Sequence, residues 1–107
     1  MKGKEFEELA VSYLTSLGYR IVERNYHCQG GEIDIIAYDG KTLVFVEVKG
    51  GNSKAFGDPA ERIDKRKLTR MLRCIDKYLS LHPAEDIRID ALIVRGEEME
   101  HIKGIEI

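Results

Sequence analysis

The chain has 107 residues, of which 43% are apolar, so one compact domain with a single hydrophobic core is expected. Its 17 Lys and Arg nearly balance 19 Asp and Glu, which excludes the one-sided charge that keeps disordered chains from collapsing. A net charge of −2 argues against bulk attraction to nucleic acid but is compatible with a local basic surface. Because no apolar run reaches the roughly 18 residues of a membrane span and no signal-peptide core is present, we expect a cytoplasmic protein with no membrane partner.

An apolar stripe predicts the first helix. Its members recur at helical spacing and would face a core: Phe6, Leu9, Ala10, Tyr13, Leu14 and Leu17. Gly18 is the predicted end of this helix, since glycine takes the left-handed conformation after a helix without steric cost. A first strand is predicted over residues 19–25, followed by a loop at 27–31.

Two β-branched, apolar runs at residues 32–38 and 42–49 predict a hairpin. The Asp39-Gly40 dipeptide between them suits the positive φ angles of a type I′ turn. The second strand is apolar on both faces, so it should be central and covered on each side.

A long second helix should begin at Asp58, an N-cap carboxylate followed by Pro59 at the first helical position. Its predicted apolar stripe consists of Leu68, Met71, Leu72, Ile75 and Leu79. The residues nearly opposite are Arg66, Arg70, Arg73 and Lys77. Strands are then predicted at residues 87–94 and near 101–107.

The predicted element order is helix, three strands, helix and strand, with an extra strand at the C-terminal end. It indicates an α/β fold with a mixed sheet, formed by a single domain over residues 1–107. Cys28 and Cys74 are far apart, with no CxxC pairing and no secretory context. We therefore interpret both as ordinary thiols, with little support for a disulfide or a zinc site.

Charged side chains gather at the end of the predicted hairpin away from its turn. With a two-residue turn at Asp39-Gly40, Asp34 would face Phe45 and Glu32 would face Glu47. Facing residues of an antiparallel pair point to the same side, and side chains alternate along each strand. One face should therefore carry Glu32, Asp34, Glu47 and Lys49.

Three carboxylates at the end of a buried strand repel one another by about 1 kcal/mol or more per pair, so something must offset their charge. Lys49 can neutralise one of them, and a divalent cation such as Mg²⁺ suits the rest, since it takes carboxylate and backbone carbonyl oxygens. Such a cation beside a lysine favours phosphodiester hydrolysis, because it lowers the pKa of a water and offsets charge in the transition state. A solvated salt bridge among Glu32, Glu47 and Lys49 is the alternative.

Several short motifs carry a resemblance to a known family. They are Glu7-x-x-Ala10, Leu17-Gly18-Tyr19, Arg24-Asn25, Gly31-Glu32-Ile33-Asp34-Ile35-Ile36-Ala37, Val44-Phe45-Val46-Glu47-Val48-Lys49, Phe56-Gly57-Asp58-Pro59 and Lys67. From about residue 7 to residue 78, with a weaker echo at 100–103, the chain resembles the YraN family of small uncharacterised bacterial proteins. The resemblance is specific because many motifs occur in the right order.

The resemblance implies the restriction-endonuclease-like fold of the PD-(D/E)XK nuclease superfamily, whose core has the element order predicted above. Archaeal Holliday-junction resolvases are similar in layout. Position by position, Asp34, Glu47 and Lys49 match the superfamily's metal-binding and catalytic signature, and Glu7 matches its first-helix carboxylate. Two departures stand out: Phe6-Glu7 replaces Gly-Glu, and Gly50-Gly51 replaces a Thr-Arg pair that could grip phosphate.

We therefore expect a Mg²⁺- or Mn²⁺-dependent endonuclease that hydrolyses phosphodiester bonds in DNA, including branched or single-stranded forms. The predicted catalytic residues are Asp34, Glu47, Lys49 and Glu7. The predicted metal ligands are Asp34, Glu47 and Val48, the last through its backbone carbonyl. Two alternatives stay open: a nucleic-acid-binding module of the same fold without catalysis, and a protein-interaction domain. An RNA substrate and a homodimer are also compatible with the sequence.

Three further features each have two interpretations. Residues 61–79 hold seven basic and three acidic side chains, so this helix either attracts phosphate or is a solvated face. Lys67 points either toward the carboxylates or along the surface. The glycine-rich segment 50–57 either closes over a bound strand or is a plain connector. Asp90 is interpreted as structural, and no role is assigned to His27, His82 and His101.

Overall fold

The computed structural model describes residues 2–50 and 65–105. Within these residues the chain forms two helices and five strands. Their bounds are α1 Lys2–Ser16, β1 Arg20–Cys28, β2 Gly31–Asp39, β3 Thr42–Gly50, α2 Lys65–Leu81, β4 Ile87–Arg95 and β5 Glu98–Ile102. Neither helix of the described ranges is long and apolar enough to cross a membrane. The predicted start of the second helix at Asp58, and nearly all of the glycine-rich segment, lie outside the described residues.

The five strands form one sheet in the order β1-β2-β3-β4-β5. The β3–β4 pair is parallel and the other three pairs are antiparallel, which confirms the predicted mixed sheet. A parallel pair needs a crossover connection, and α2 lies in the segment between β3 and β4. The predicted α/β element order is thereby confirmed.

The two helices cover opposite faces of the sheet. This arrangement buries β3 on both sides, as its continuous apolar run predicts. The core against α2 includes Ile36, Leu43, Phe45, Met71 and Ile75. The core against α1 includes Ala10, Leu14, Val44, Val46 and Leu92.

The apolar stripe of α1 is narrower than predicted. Ala10 and Leu14 are fully buried, whereas Leu9 is 44% exposed and Leu17 is 49% exposed. Leu9 lies about 100° around the helix axis from Ala10, and Leu17 follows the last helical residue. The predicted stop is confirmed, because Gly18 has a φ of 94°.

The core-facing stripe of α2 is rotated slightly from the predicted one. Leu68, Met71 and Ile75 are buried as expected, but Cys74 and Tyr78 complete the buried set. Leu72 and Leu79 are only partly buried at its edge. Burial decreases gradually from the middle of a helix's packed face to its edges. The rotation of α2 against the sheet therefore decides which residues are the most buried.

The β2–β3 hairpin turns one residue later than predicted. Asp39 pairs with Thr42, so the two-residue turn is Gly40-Lys41. Gly40 has a φ of 61° and Lys41 does not have a positive φ, which fits a type II′ turn with glycine at its first central position. The predicted partners of individual residues are therefore wrong by two positions, but the shift is even, so the predicted sharing of faces is unchanged.

Two other boundaries differ from the predictions. β1 continues through Cys28 into the predicted loop, and its turn to β2 is tight, with Gly30 at a φ of 92°. The last strand is Glu98–Ile102, earlier than predicted, because a tight turn at Gly96, with a φ of 61°, folds it back onto β4.

The interpretation of both cysteines as thiols is wrong. Cys28 and Cys74 form a disulfide with their Cα atoms 5.5 Å apart. The longer β1 carries Cys28 to the middle of α2, where Cys74 is fully buried. Sequence spacing did not indicate this pairing, because only the packing of α2 on the sheet brings the two residues together.

Candidate metal and phosphodiester site

Asp34 lies at the point where β2 and β3 separate. The paired register on that side ends at Ile35 with Val46. Beyond it, the Asp34 carboxylate accepts a hydrogen bond of 2.8 Å from the Val48 N–H to its Oδ2 atom. Because the N–H and C=O of a strand residue point toward the same neighbouring strand, the Val48 carbonyl also faces β2. A carboxylate and a backbone carbonyl are therefore directed toward the same gap.

Glu47 occupies the neighbouring position on β3 and is 5% exposed. Its Oε2 atom lies 2.7 Å from the Nζ atom of Lys67 on α2. Lys67 thus points toward the carboxylates, the first of its two predicted interpretations. This contact joins α2 to the end of β3.

The electrostatics of this cluster are unusual. Burial and, after it, the adjacent Asp34 carboxylate raise the pKa of Glu47 to about 8, although the Lys67 ammonium acts in the opposite direction. Burial lowers the pKa of Lys67, but the carboxylates of Glu47, Asp34 and Glu32 outweigh this and raise it. An acidic group at a cleft whose pKa is strongly raised by burial and by a second carboxylate is typical of functional sites.

A cavity of about 280 Å³ opens beside this pair. Its described lining residues come from both helices and three strands: Phe6, Glu7, Asn25, Glu32, Asp34, Val48, Gly50 and Lys67. The structure therefore brings the predicted site residues Glu7 and Asp34 to one cavity, and Lys67, which also lines it, contacts Glu47. Glu32 lines the same cavity as Lys67, and its Oε2 atom lies 3.9 Å from the Nε2 atom of His27.

Glu7 is held in place by Asn25, a residue for which the sequence predicted no role. The Nδ2 atom of Asn25 donates to the Glu7 Oε1 atom at 2.7 Å, and Arg24 lies 3.4 Å from the same oxygen. Asn25 has a φ of 53°, the left-handed region that asparagine tolerates better than most residues. The Arg24-Asn25 motif was the available signal.

Lys49 lies two residues beyond Glu47 on β3 and therefore on the same face of the strand, as predicted. It is partly buried and has interactions of its own. It is not among the described residues that line the cavity. The structure thus places Lys49 beside the carboxylates along the strand, whereas Lys67 makes the direct contact with Glu47.

Phe6 and Gly50, which belong to the two departures from the family motifs, lie in contact with each other. A side chain at Gly50 would overlap the Phe6 ring, because its Cβ would lie within the van der Waals radius of the ring carbons. Phe6 therefore fills the volume that a larger residue after the E-x-K triplet would need. The glycine at position 50 follows from the phenylalanine at position 6.

The donor set fits a hard divalent cation. Among the described residues, no group of three or more His, Cys, Asp or Glu side chains converges as a ready-made metal site. Asp34 and Glu47 supply two carboxylates and Val48 a backbone oxygen, and Mg²⁺ is typically held by one or two carboxylates, with waters and substrate oxygens completing its shell. Lys67 already contacts Glu47 through one carboxylate oxygen, Oε2, and a cation would interact with the same carboxylate.

A second buried polar cluster lies on the α1 side of the sheet. Asp90 is fully buried and bound by Arg88 Nε at 2.8 Å, His101 Nε2 at 2.8 Å and the Gly104 N–H at 3.1 Å. Tyr19 also donates to it at 3.2 Å, and Tyr13 contacts the other nitrogen of His101 at 3.3 Å. The contacts agree with the structural interpretation of Asp90. They give His101 a structural role that sequence spacing did not indicate.

Together these features define an α/β protein with a two-carboxylate, one-lysine site at the separated ends of two central strands. The sequence model of the Uncharacterised protein family UPF0102 matches residues 6–94, and the chain belongs to this family. The resemblance to the YraN family is thereby confirmed, because that family is UPF0102.

Proteins of this family from several bacteria are similar to the chain over nearly their whole length. A UPF0102 protein of Thermotoga petrophila is 43% identical over 106 residues, which cover 98% of this chain and 96% of the relative. A UPF0102 protein of Kosmotoga olearia is 45% identical over 107 residues, covering 97% and 91%. One from Persephonella marina is 41% identical over 106 residues, with the same coverage of 97% and 91%.

Proposed function

We propose that the protein is a divalent-metal-dependent endonuclease with a restriction-endonuclease-like fold that hydrolyses phosphodiester bonds in DNA. One observation carries the proposal. Two carboxylates from adjacent strands, Asp34 and Glu47, meet where the strands separate, beside a lysine and an open cavity. The raised pKa of Glu47 supports it, because the cluster gains most from a cation that shares its negative charge.

In this proposal Asp34, Glu47 and the Val48 carbonyl hold Mg²⁺ or Mn²⁺. The cation, when bound, supplies an activated water and offsets negative charge on the phosphate. The Val48 N–H orients Asp34 through its 2.8 Å hydrogen bond, so the carboxylate is preorganised before the metal arrives. Glu47 gives up its proton on binding, since a cation stabilises only the ionised form.

The lysines have separate roles. Lys67 donates to Glu47 Oε2 and keeps that carboxylate turned toward the gap between the strands. Lys49, on the same strand face, steadies the charge of the attacking oxygen. Glu7, held by Asn25, forms the opposite wall of the cavity and stabilises a cation or its waters from the α1 side.

The Glu47–Lys67 pair also favours one alternative function, a nucleic-acid-binding module without catalysis. An ammonium 2.7 Å from the carboxylate oxygen neutralises part of the cluster without any metal. A nucleic-acid-binding module without catalysis would keep this fold and this pair. The two functions differ in metal binding and in turnover, and both can be measured.

Metal binding is tested by thermal melting with and without Mg²⁺ or Mn²⁺. A ligand that binds only the folded state stabilises it by about 2.7 kcal/mol at a hundred times its Kd, so the melting temperature should rise. Asp34→Asn keeps an acceptor for the Val48 N–H and should abolish the rise. Glu97→Gln, a matched change at an exposed turn residue, should leave it intact. An unchanged rise in Asp34→Asn would place the metal elsewhere.

Turnover is tested with plasmid, single-stranded and four-way-junction DNA in the presence of Mn²⁺. We expect cleavage of at least one substrate and a loss of about a hundredfold or more in Asp34→Asn, Glu47→Gln and Lys49→Ala. Cleavage that persists equally in these variants would come from a contaminant. Binding without cleavage of any substrate would favour the binding module.

A further inference from the structure

The exposed face of α2 carries a concentrated positive charge. Lys65–Leu81 contains six basic residues and one acidic residue, although the whole chain has a net charge of −2. Arg70, Arg73 and Lys77 recur every three or four residues and are all exposed. None of the carboxylates that the structure describes forms an ion pair with these three side chains. Their charges are therefore available to a ligand.

This basic row runs along the turn between β1 and β2. A side chain at Gly31 would lie 2.9 Å from the Arg70 carbonyl oxygen, so the hairpin backbone packs directly on α2. At Gly30 a side chain would meet the Arg73 Nη1 atom at 3.5 Å. The Arg73 guanidinium thus lies against the tip of the hairpin.

A second cavity, of about 240 Å³, lies at this seam. Its described lining consists of Tyr26, His27, Cys28, Gln29, Arg73 and Lys77. The Cys28–Cys74 disulfide joins the two walls, because Cys28 lines the cavity and Cys74 follows Arg73 on α2. A covalent link between the walls preorganises the cavity and lowers the entropy lost on binding.

The two cavities lie at two points along one helix. Lys67 lines the cavity beside Asp34, and Lys77 lines the second. Ten helical residues separate these lysines, a rise of about 15 Å, and Arg70 and Arg73 lie between them. A strand of B-form geometry rises about 3.4 Å per nucleotide, so the row spans about four nucleotides.

We propose that the second cavity is a phosphate-binding site for the same nucleic acid strand that enters the Asp34–Glu47 site, with Arg73 and Lys77 contacting its backbone about three or four nucleotides from the bond to be cut. This inference rests on the proposed function and adds to it the path of the substrate. It also supplies phosphate-binding cations from α2, whereas Gly50-Gly51 lacks the arginine expected there.

The test measures binding of a fluorescein-labelled single-stranded DNA by anisotropy in EDTA, over a range of KCl concentrations. Arg73→Gln/Lys77→Gln should raise Kd about tenfold and reduce the magnitude of the slope of log K against log salt by about 1.4, since each lost single-strand phosphate contact removes about 0.7. Lys41→Gln/Lys103→Gln removes the same charge from exposed positions outside the row and should change Kd less than twofold.

Two further variants separate charge from folding and from catalysis. Arg73→Lys/Lys77→Arg keeps both charges and should bind with nearly the wild-type Kd and salt slope. In Asp34→Asn, which should fail to cleave, adding Arg73→Gln/Lys77→Gln should weaken binding by the same factor as it does in the wild type. An RNA of the same sequence, run in parallel, shows which sugar the site accepts.

Equal weakening by the two glutamine pairs, or no weakening by Arg73→Gln/Lys77→Gln, would overturn the inference. If that variant binds as wild type while the wild type still cleaves, the proposed function survives without the second site. If the wild type binds no nucleic acid at all, both proposals fall.

Discussion

Two buried carboxyl groups lie on opposite faces of the same sheet, and their surroundings differ sharply. Asp90, on the α1 side, accepts hydrogen bonds from Arg88, Tyr19 and the Gly104 N–H and is paired with His101. Burial would raise the pKa of Asp90, but Arg88, His101 and Gly104 outweigh it and lower the pKa. Glu47, on the α2 side, is next to a second carboxylate, and its pKa is raised to about 8.

The difference separates a structural charge from a candidate functional one. Burial and the Asp90 carboxylate raise the pKa of Tyr19 to about 12, so its hydroxyl remains a donor within the network. Every member of that network is satisfied by protein atoms, and such networks make a core rigid. The Asp34–Glu47 cluster instead borders an open cavity and brings two acidic groups together, so a cation can complete it.

The largest effect that tests this comparison is on stability. Asp90→Ala should lower the free energy of unfolding by about 3 kcal/mol, because it removes the fully buried acceptor that Arg88, His101 and the Gly104 N–H share. Asp34→Ala should change it by no more than about 1 kcal/mol, since Asp34 lines an open cavity where water can replace the lost hydrogen bond. Urea unfolding of both variants measures the two values. Equal losses of unfolding free energy in the two variants would mean that Asp34 is as much a structural residue as Asp90.

The pH dependence of stability should show opposite signs for the two groups in metal-free protein. The folded pKa of Glu47, about 8, exceeds its ordinary 4.5, so its contribution is full below pH 4.5 and is lost as pH rises to 8. The slope approaches about 1.4 kcal/mol per pH unit for one proton. For Asp90 the folded pKa is below 3.8, so its contribution is present above that pH and is lost in more acidic solution.

Urea unfolding at a series of pH values in EDTA checks these signs. Glu47→Gln should remove the decline between pH 4.5 and 8 and leave the acid loss, whereas Asp90→Asn should reduce the acid loss alone. A decline that is unchanged in Glu47→Gln would mean that the Glu47 carboxyl is already ionised near pH 5 in the folded protein.

The smallest expected effect concerns the packing of Phe6 against Gly50, which both line the cavity beside Asp34. Gly50→Thr should destabilise the protein by about 1–3 kcal/mol, because the new side chain overlaps the Phe6 ring. Combining it with Phe6→Ala should restore part of the loss. A double-mutant cycle by urea unfolding measures the coupling energy, and additivity of the two changes would show that the residues are independent.

Much of the site was predictable because strand alternation is a local rule. The hairpin turn was misplaced by one residue, at Asp39-Gly40 instead of Gly40-Lys41, yet Asp34 and Glu47 still fall on one face. An even shift in register cannot change which side chains share a face. The same rule placed Lys49 beside Glu47.

Other parts of the site depend on contacts between distant segments. Nothing in the local pattern of Lys67 distinguished a contact with Glu47 from a lysine lying along the surface. The pairing of Cys28 with Cys74, and the partnership of His101 with Asp90, required β1 and β5 to be seated against their neighbours. Phe6 and Gly50 looked like separate departures until the structure placed them in contact.

The amino-acid order alone determined the sequence of helices and strands, the sharing of a face by the acidic residues and the family to which the chain belongs. These properties depend on periods of 2 and 3.6 residues and on short motifs, all of which are local. Only the tertiary structure decided that Lys67 contacts Glu47, that Cys28 and Cys74 form a disulfide, and that Asp90 has its hydrogen bonds within the protein. Those outcomes depend on how helices and strands that are distant in sequence pack together. A residue at the edge of a helix's apolar face, such as Lys67, can point toward the sheet or along the surface until that packing is known.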